Sequence, residues 1–284
     1  MSRNLLARKL KNYLMTSLTL LTSALAVIPL ASILHAAIVE GGRTLLEAGV
    51  NFLMELPPTP LSSSVGGVAP ALLGSVLATS LAIIISGPVA FLTAFLVTEF
   101  PNSIFSKAFE VVVRSFSGIP SLIVSMFVYS VVVVRMGTQS LLAGSLSLAI
   151  VVLPYTYVYF TSAMRSVPET VREAAMSLGM SRFQALRHVY VGVSRKYILT
   201  GVLMSCVRAF GDTAPLLFTM GFLMNSVFAG LLQPSNSLPV LIFAYALSPY
   251  EVFHRVAWGA TLLLIVIYLT LFSLTRGLLR GVRL

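Results

Sequence analysis

Residues 165–196 read RSVPETVREAAMSLGMSRFQALRHVYVGVSRK, the longest hydrophilic stretch in a chain of 284 residues that is 57% hydrophobic and only 10% charged. Its punctuation predicts two short helices. Ser166, Pro168 and Glu169 fit a helix start with a capping box, the proline early in the first turn and the glutamate three residues after the serine. Val171, Ala174, Ala175 and Leu178 then recur at helical spacing. Gly179 ends that helix, and Ser181 can cap a second one running to about Tyr190. An amphipathic pair joined by a glycine turn either rests on lipid headgroups or offers a knob to a soluble partner.

On both sides of this loop the sequence turns apolar. Six segments stand out, 14–38, 69–97, 111–134, 139–164, 196–222 and 256–275, each near the roughly 20 residues that a spanning helix needs. Pro88, Pro120 and Pro154 fall inside them, and prolines are tolerated in spans where neighbouring groups satisfy the freed backbone. The mean hydropathy is +0.94, and a soluble domain would carry about 25% charged residues. The polar stretch 40–61 closes on Pro57-Pro58-Thr59-Pro60, and 61–67 reads as an irregular loop. The uncharged region 225–250, broken by Pro234, Pro239 and Pro249, has room for a short re-entrant or interfacial helix.

Charge sets the orientation. With the N-terminus inside, fifteen Lys and Arg fall in inside loops, against Arg43, Arg135 and Arg255 outside, which places both termini in the cytoplasm. The net charge of +10 is therefore a membrane-topology signal and not a nucleic-acid footprint, because the basic residues lie between apolar runs and not on one soluble face. Arg3, Arg8, Lys9 and Lys11 precede a run free of formal charge from residue 12 to 39. That is too long for the 7–15-residue apolar part of a cleaved signal, so a retained first helix is expected. A single Cys206 excludes an intrachain disulfide, and His35, His188 and His254 have no metal-ligand spacing.

The fifth segment carries two charges, Arg208 and Asp212, within RAFGDTAPLLFT (208–219). An ionised group near the bilayer centre costs at least about 2.5–3.5 kcal/mol on insertion scales. Two opposite charges four residues apart share a helix face and can pair. That face is either an internal tie or the lining of a path on which the guanidinium offers an oxyanion two parallel hydrogen bonds. Arg114, near one end of the third segment, is expected to snorkel to the headgroups. Tyr155, Tyr157 and Tyr159 read as an interfacial aromatic feature, and Gly201, Ser205 and Ala209 as a close-packing stripe. No G-x4-G-K-[ST] loop occurs, and no nucleophile–base set supports an enzyme.

Glu173-Ala174-Ala175 followed after three residues by Gly179 resembles the EAA loop of binding-protein-dependent ABC importer permeases. The family pattern continues with an apolar–proline pair, where this chain has Val191-Gly192. The stretch 208–219 is similar to the R-x-x-G-E-T-A-P-L-L of the phosphate-import, PstA-type branch, with Asp212 in place of the glutamate. Gly118-Ile119-Pro120 and Leu153-Pro154 also look like that branch.

The resemblance implies an all-α membrane protein of about six helices with the MetI-like permease fold. Residues 1–68 would form a cytoplasmic tail, a first helix and an extracytoplasmic loop. Residues 69–284 would form the core, with its cytoplasmic coupling loop at 165–196. It implies a non-catalytic subunit in the cell membrane that moves inorganic phosphate by alternating access. The implied partners are a PstC-type permease in a heterodimer, two PstB-type ATPases that bind ATP and Mg, and a PstS-type extracytoplasmic binding protein. This chain would carry no cofactor or metal. By residue, Arg208, Asp212 and Thr213 would line the substrate path, and Glu173, Ala174, Ala175 and Gly179 would form the ATPase coupling positions. Sulfate, molybdate or phosphonate as substrate, or an ion-coupled transporter working alone, stand as alternatives.

Overall fold

The computed structural model describes residues 2–279 as backbone and 8–278 with their side chains; the side chain of Arg3, and Arg280 and Arg283 of the charge count, lie outside the described residues. Helix α1 (Ser2–Ala48) runs past the predicted 14–38 and through the first half of the stretch expected to be polar loop. Nothing between residues 39 and 48 stops it: Arg43 pairs with Glu40 at 3.3 Å on one helix face, and Thr44 Oγ1 reaches the Arg255 carbonyl at 3.0 Å. Gly49, in the left-handed region at φ 59°, ends it. One turn, α2 (Asn51–Met54), precedes the irregular Pro-rich loop.

Helix α3 (Ala69–Glu99) opens with Pro70 in its first turn and continues through Pro88. The third apolar segment is a different matter. It splits into α4 (Ile104–Phe116) and α5 (Ser121–Val128), the latter continuing through a wide π turn at Tyr129–Val133 into α6 (Val134–Met136). The two arms meet at 101°. Pro120 has no N–H to offer the Phe116 carbonyl and pushes Ile119 out of the helical region. The segment 111–134 is therefore not one straight span: α4 carries Lys107, Glu110 and Arg114, which favour a run along the membrane surface.

Helix α7 (Leu141–Arg165) is capped by Ser140, whose Oγ accepts from the Ala143 N–H at 3.1 Å. The hydrophilic loop folds as α8 (Glu169–Ser177) and α9 (Arg182–Ala185). Two details depart from expectation. Ser166 does not cap α8; its hydroxyl donates to the Ala163 carbonyl at 2.6 Å and closes α7 instead. The second short helix also does not stop near Tyr190, for a π turn (Leu186–Tyr190) carries it without a break into α10 (Val191–Phe210). With Gly192 where relatives of the resembled family have proline, nothing interrupts the hydrogen-bond ladder there.

The fifth segment, expected over 196–222, is helical only to Phe210, and a single turn, α11 (Ala214–Leu217), follows Gly211, Asp212 and Thr213. Glycine and the nearby Pro215 end the ladder in the middle of the run. The chain then crosses the end of the bundle as an irregular strap and enters α12 (Leu238–Ala246), a buried helix within the uncharged region, before α13 (Glu251–Leu279). The strap passes so near α3 that a side chain at Gly74 would collide with the Asn236 carbonyl.

Among the described residues, α1, α3, α7 and α13 are long and apolar enough to span, with up to a fifth if the bent pair is counted as one broken span. Helix α10 brings the total near the expected six: its 20 residues give roughly 30 Å at about 1.5 Å each, though with Arg195, Lys196 and Arg208 aboard it is less apolar. The core is the α3–α7 pair, where Ala78 and Ala82 are buried with Leu148 and Ala149, and Ala90 and Ala94 with Tyr157 and Phe160. Small residues allow close approach in lipid, where burial of apolar surface drives nothing. Phe52, Val65 and Val68 from the first quarter of the chain are buried with Leu238, Phe253 and Val256.

Candidate functional site

Two constellations carry chemistry, one at mid-depth and one at the end of the bundle. Arg208 lies in the last turn of α10, where a cation also favours the helix dipole. Its Nη2 is 3.2 Å from Asp212 Oδ2, and the guanidinium lies over the Tyr155 ring at 5.1 Å from the centroid. The pair is one-sided: the Asp212 side chain is buried, while 43% of the Arg208 side chain is exposed. Asp212 Oδ2 has no well-directed hydrogen bond, so the contact is an ion pair and little more. Tyr155 is the fifteenth residue of α7, ten residues, or about 15 Å, from its Arg165 end. Arg208 is thus held near the middle of the bundle.

The break at Gly211 is built by packing. A side chain there would occupy the place of the Tyr268 hydroxyl, which α13 inserts against the glycine backbone. Thr213 leads into α11 half-buried, and its side chain makes no cap bond to that turn. Gly201, Ser205 and Ala209, all buried, press α10 on α7, with Tyr159 and Phe160 against Gly201. Arg114 does not reach this group. It pairs with Glu110 at 2.8 Å on its own helix and lies 5.9 Å from the Tyr157 ring centroid.

At the end of the bundle α8 forms a knob. Gly179 adopts φ 79°, and the Met180 N–H bonds the Ala175 carbonyl at 3.2 Å, so the helix closes in a glycine-terminated C-cap. Ser181 accepts from the Gln184 N–H while Gln184 reaches back to the Ser181 N–H, a complete capping box for α9. Of the predicted coupling positions only Ala175 is buried; Glu173, Ala174 and Gly179 face outward with Val171 and Leu178, the last 80% exposed. The result is an exposed apolar stripe with a carboxylate in it, uncovered by its own chain.

The family described as binding-protein-dependent transport system inner membrane component matches residues 86–284. The chain belongs to that family. It is 37% identical over 248 residues to a probable phosphate transport system permease protein PstA of Methanocaldococcus jannaschii, covering 87% of this chain and 86% of that one. It is 32% identical over 275 residues to the PstA of Pasteurella multocida, covering 94% of each. Among solved structures it superposes with a chain of the MetNI methionine ABC transporter in an inward-facing conformation (TM-score 0.56, 18% identity, 75% of this chain and 94% of that one). An amino acid ABC transporter is similar to the same degree (TM-score 0.56, 19% identity, 75% and 92% covered). At these identities the likeness is one of fold, and it is the expected ABC permease fold. The protein is thus a multi-pass membrane component of a transport system.

Two groups of this permease escaped the sequence reading. Tyr155 and Tyr268 flank Arg208 and Gly211, whereas the sequence alone predicts an interfacial role for the tyrosine run. Its position near the middle of the 139–164 segment, beside Pro154, was the available signal; Tyr268 stands as a lone phenol in an otherwise apolar run. The second is Glu99 at the end of α3, which pairs with Arg182 across 83 residues of sequence.

Proposed function

We propose that this chain is a phosphate-moving permease subunit of an ATP-driven importer, with Arg208 as the cation the anion meets half-way across. The observation that carries the reading is the arrangement at mid-depth: a guanidinium tethered on one side by Asp212 and a ring face, and 43% exposed on the other. A planar guanidinium can give an oxyanion two parallel N–H bonds, and the exposed side of Arg208 can offer them while Asp212 keeps its ion pair. The relatives named above, all PstA proteins, support phosphate as the anion. Thr213 and Asp212 belong to the same stretch of the path.

Glu173, Ala174, Ala175 and Gly179 form the knob that seats in a separate ATPase. In this reading two PstB-type subunits bind ATP and Mg, a PstC-type permease supplies the other half of the path, and a PstS-type protein delivers phosphate. No residue of this chain is assigned a catalytic role. The knob end of the bundle is cytoplasmic, since the excess of Lys and Arg lies there, and both termini belong to that side. The long α1 face that the chain itself leaves uncovered is then available to lipid and to the second permease. ATP binding moves the knob, and the bundle passes between two states whose populations nucleotide shifts.

The test is phosphate uptake by vesicles holding the full complex, native against Arg208→Gln. Loss of roughly a hundredfold with the complex still assembled is expected, the scale for removing one member of a desolvated charge pair. Uptake that survives unchanged would return Arg208 to the role of an internal tie.

A further inference from the structure

The knob is joined to the rest of the permease by two soft connections. Residues 166–168 link it to α7, and the glycine turn around Gly179 links it to α9. A push on such a knob would be taken up by bending at both ends unless something braces it. Two arginines do. Arg172 of α8 donates from Nη2 to the Met164 carbonyl in the last turn of α7 at 2.8 Å, and its guanidinium lies 5.0 Å over the Tyr190 ring. Arg182 of α9 donates from Nη1 to the Glu99 carbonyl at the end of α3 at 2.7 Å and faces the Glu99 carboxylate at 3.3 Å, its guanidinium 4.7 Å over the Phe100 ring. Each arginine thus meets the partial negative charge of a helix C-terminus, the place where a cation is favoured.

The two braces are connected. Phe100 meets Phe95 edge-on at 6.4 Å, and Phe95 meets Tyr190 edge-on at 6.4 Å. The sequence Arg182–Phe100–Phe95–Tyr190–Arg172 is therefore one unbroken run of cation–ring and ring–ring contacts, joining α9, the end of α3, the π turn and α8. Such contacts are directional.

We propose that Arg172 and Arg182, locked through Tyr190, Phe95 and Phe100, are positioning residues that make the knob and the ends of α3 and α7 one rigid body. Displacement of the knob then reaches the α3–α7 core directly, and not only α10 through the chain. This rests on the coupling reading given above for α8. The latch lies on the face of α8 turned to the bundle, away from the docking stripe of Glu173, Ala174 and Leu178, so breaking it disconnects the core without removing the docking contacts.

The experiment uses the complete complex in vesicles and measures radiolabelled phosphate moved per ATP hydrolysed, for Arg172→Ala, Arg182→Ala and the double variant. Expected are normal assembly, ATP hydrolysis at or above the native rate, and a fall in phosphate per ATP of roughly three- to tenfold. The double variant should be about as impaired as the worse single, since both break one unit. Arg182→Lys, which keeps a donor for the Glu99 carbonyl but loses the planar stack, should recover part of the ratio. Phe100→Leu, which leaves both arginines in place, should lower it.

An unchanged ratio in these variants overturns the proposal, as does loss of ATPase association in a normally inserted protein, since the arginines would then serve docking. A second readout needs no transport. Spin labels on the exposed positions Met176 and Asn102 should keep a single separation with and without nucleotide in the native complex, and should show two in Arg182→Ala. A native separation that changes with nucleotide also overturns the latch. Failure of the phosphate reading would appear separately, as a native complex that moves no phosphate. Failure of the coupling reading would appear as Glu173→Lys complexes that still assemble.

Discussion

Arg182 and Arg208 are both arginines at helix ends, and the structure treats them in opposite ways. Arg182 is fastened by a backbone carbonyl, a carboxylate and a ring. Among the described residues Arg208 has a carboxylate and a ring but no carbonyl bond, and its carboxylate contact lacks hydrogen-bond direction. Three partners from one helix end hold Arg182, whereas Arg208 keeps a half-exposed guanidinium with donors left for an incoming oxyanion. The contrast teaches which arginine is fastened and which keeps donors to offer. In the proposed function the same contrast separates two jobs, force transmission at the end of the bundle and ion handling at its centre.

The strongest way to break this division is at the docking face. Glu173→Lys reverses the charge in an exposed stripe and touches neither arginine. A thirtyfold or larger loss of ATPase association is expected, roughly the 2 kcal/mol that defines a hot-spot residue, with membrane insertion unaffected. Co-purification of the ATPase from solubilised membranes measures it. Retention of the ATPase would mean that α8 is a lipid-resting helix and that the knob has been misassigned.

Next in size is the tether at mid-depth. Asp212→Asn removes the charge that balances Arg208 in a low-dielectric setting, so uptake is expected to fall about tenfold. Asp212→Glu, which keeps the charge on a longer arm, should stay within about threefold of native. If Asn is harmless, Arg208 does not depend on Asp212 and the ion pair is not the device. Measured as initial uptake rates at saturating and limiting phosphate, the Asn variant should act mainly through apparent affinity.

A smaller effect is expected from the ring. Tyr155→Leu removes the cation–π contact, about 0.5–2 kcal/mol depending on hydration, so a loss of roughly threefold to tenfold in uptake is expected. Tyr155→Phe keeps the ring face and should be near native. Equal damage from both would assign the role to the phenol hydroxyl instead.

Much of this architecture was legible in the sequence because its signals are local. Apolar runs of span length, the Glu173-Ala174-Ala175 spacing, the glycine at 179 and the Ser181 cap need only a few neighbouring residues, and the structure bears out four of the six runs, the glycine and the Ser181 cap as geometry. The failures share a different cause. Pro88, Pro120 and Pro154 look alike in sequence, yet only Pro120 coincides with a bend. What distinguishes it is the amphipathic, charged character of the helix before it, which has to leave the apolar layer. The break at Gly211 depends on Tyr268 from another helix, and the Arg182–Glu99 contact on two segments 83 residues apart. Arg208 itself was conspicuous by its cost, but its ring partner could be named only once α7 and α10 were laid side by side.

The smallest prediction tests the cap that moved. Ser166 and Ser181 were both read as caps of the hydrophilic loop, and only Ser181 is one: its hydroxyl accepts the Gln184 N–H, while that of Ser166 donates backward to the Ala163 carbonyl. Removing a true cap costs a helix about 1 kcal/mol. Donation to a carbonyl already engaged by its own ladder is worth less, because that acceptor keeps another donor. Ser181→Ala should therefore raise amide exchange across residues 182–186 by about fivefold, and Ser166→Ala should leave exchange at residues 169–172 within about twofold. Because α9 carries Arg182, the exchange change in Ser181→Ala should be accompanied by a modest fall in phosphate moved per ATP. The same fall in Ser166→Ala would show that the junction with α7, and not the cap of α9, is the softer of the two connections.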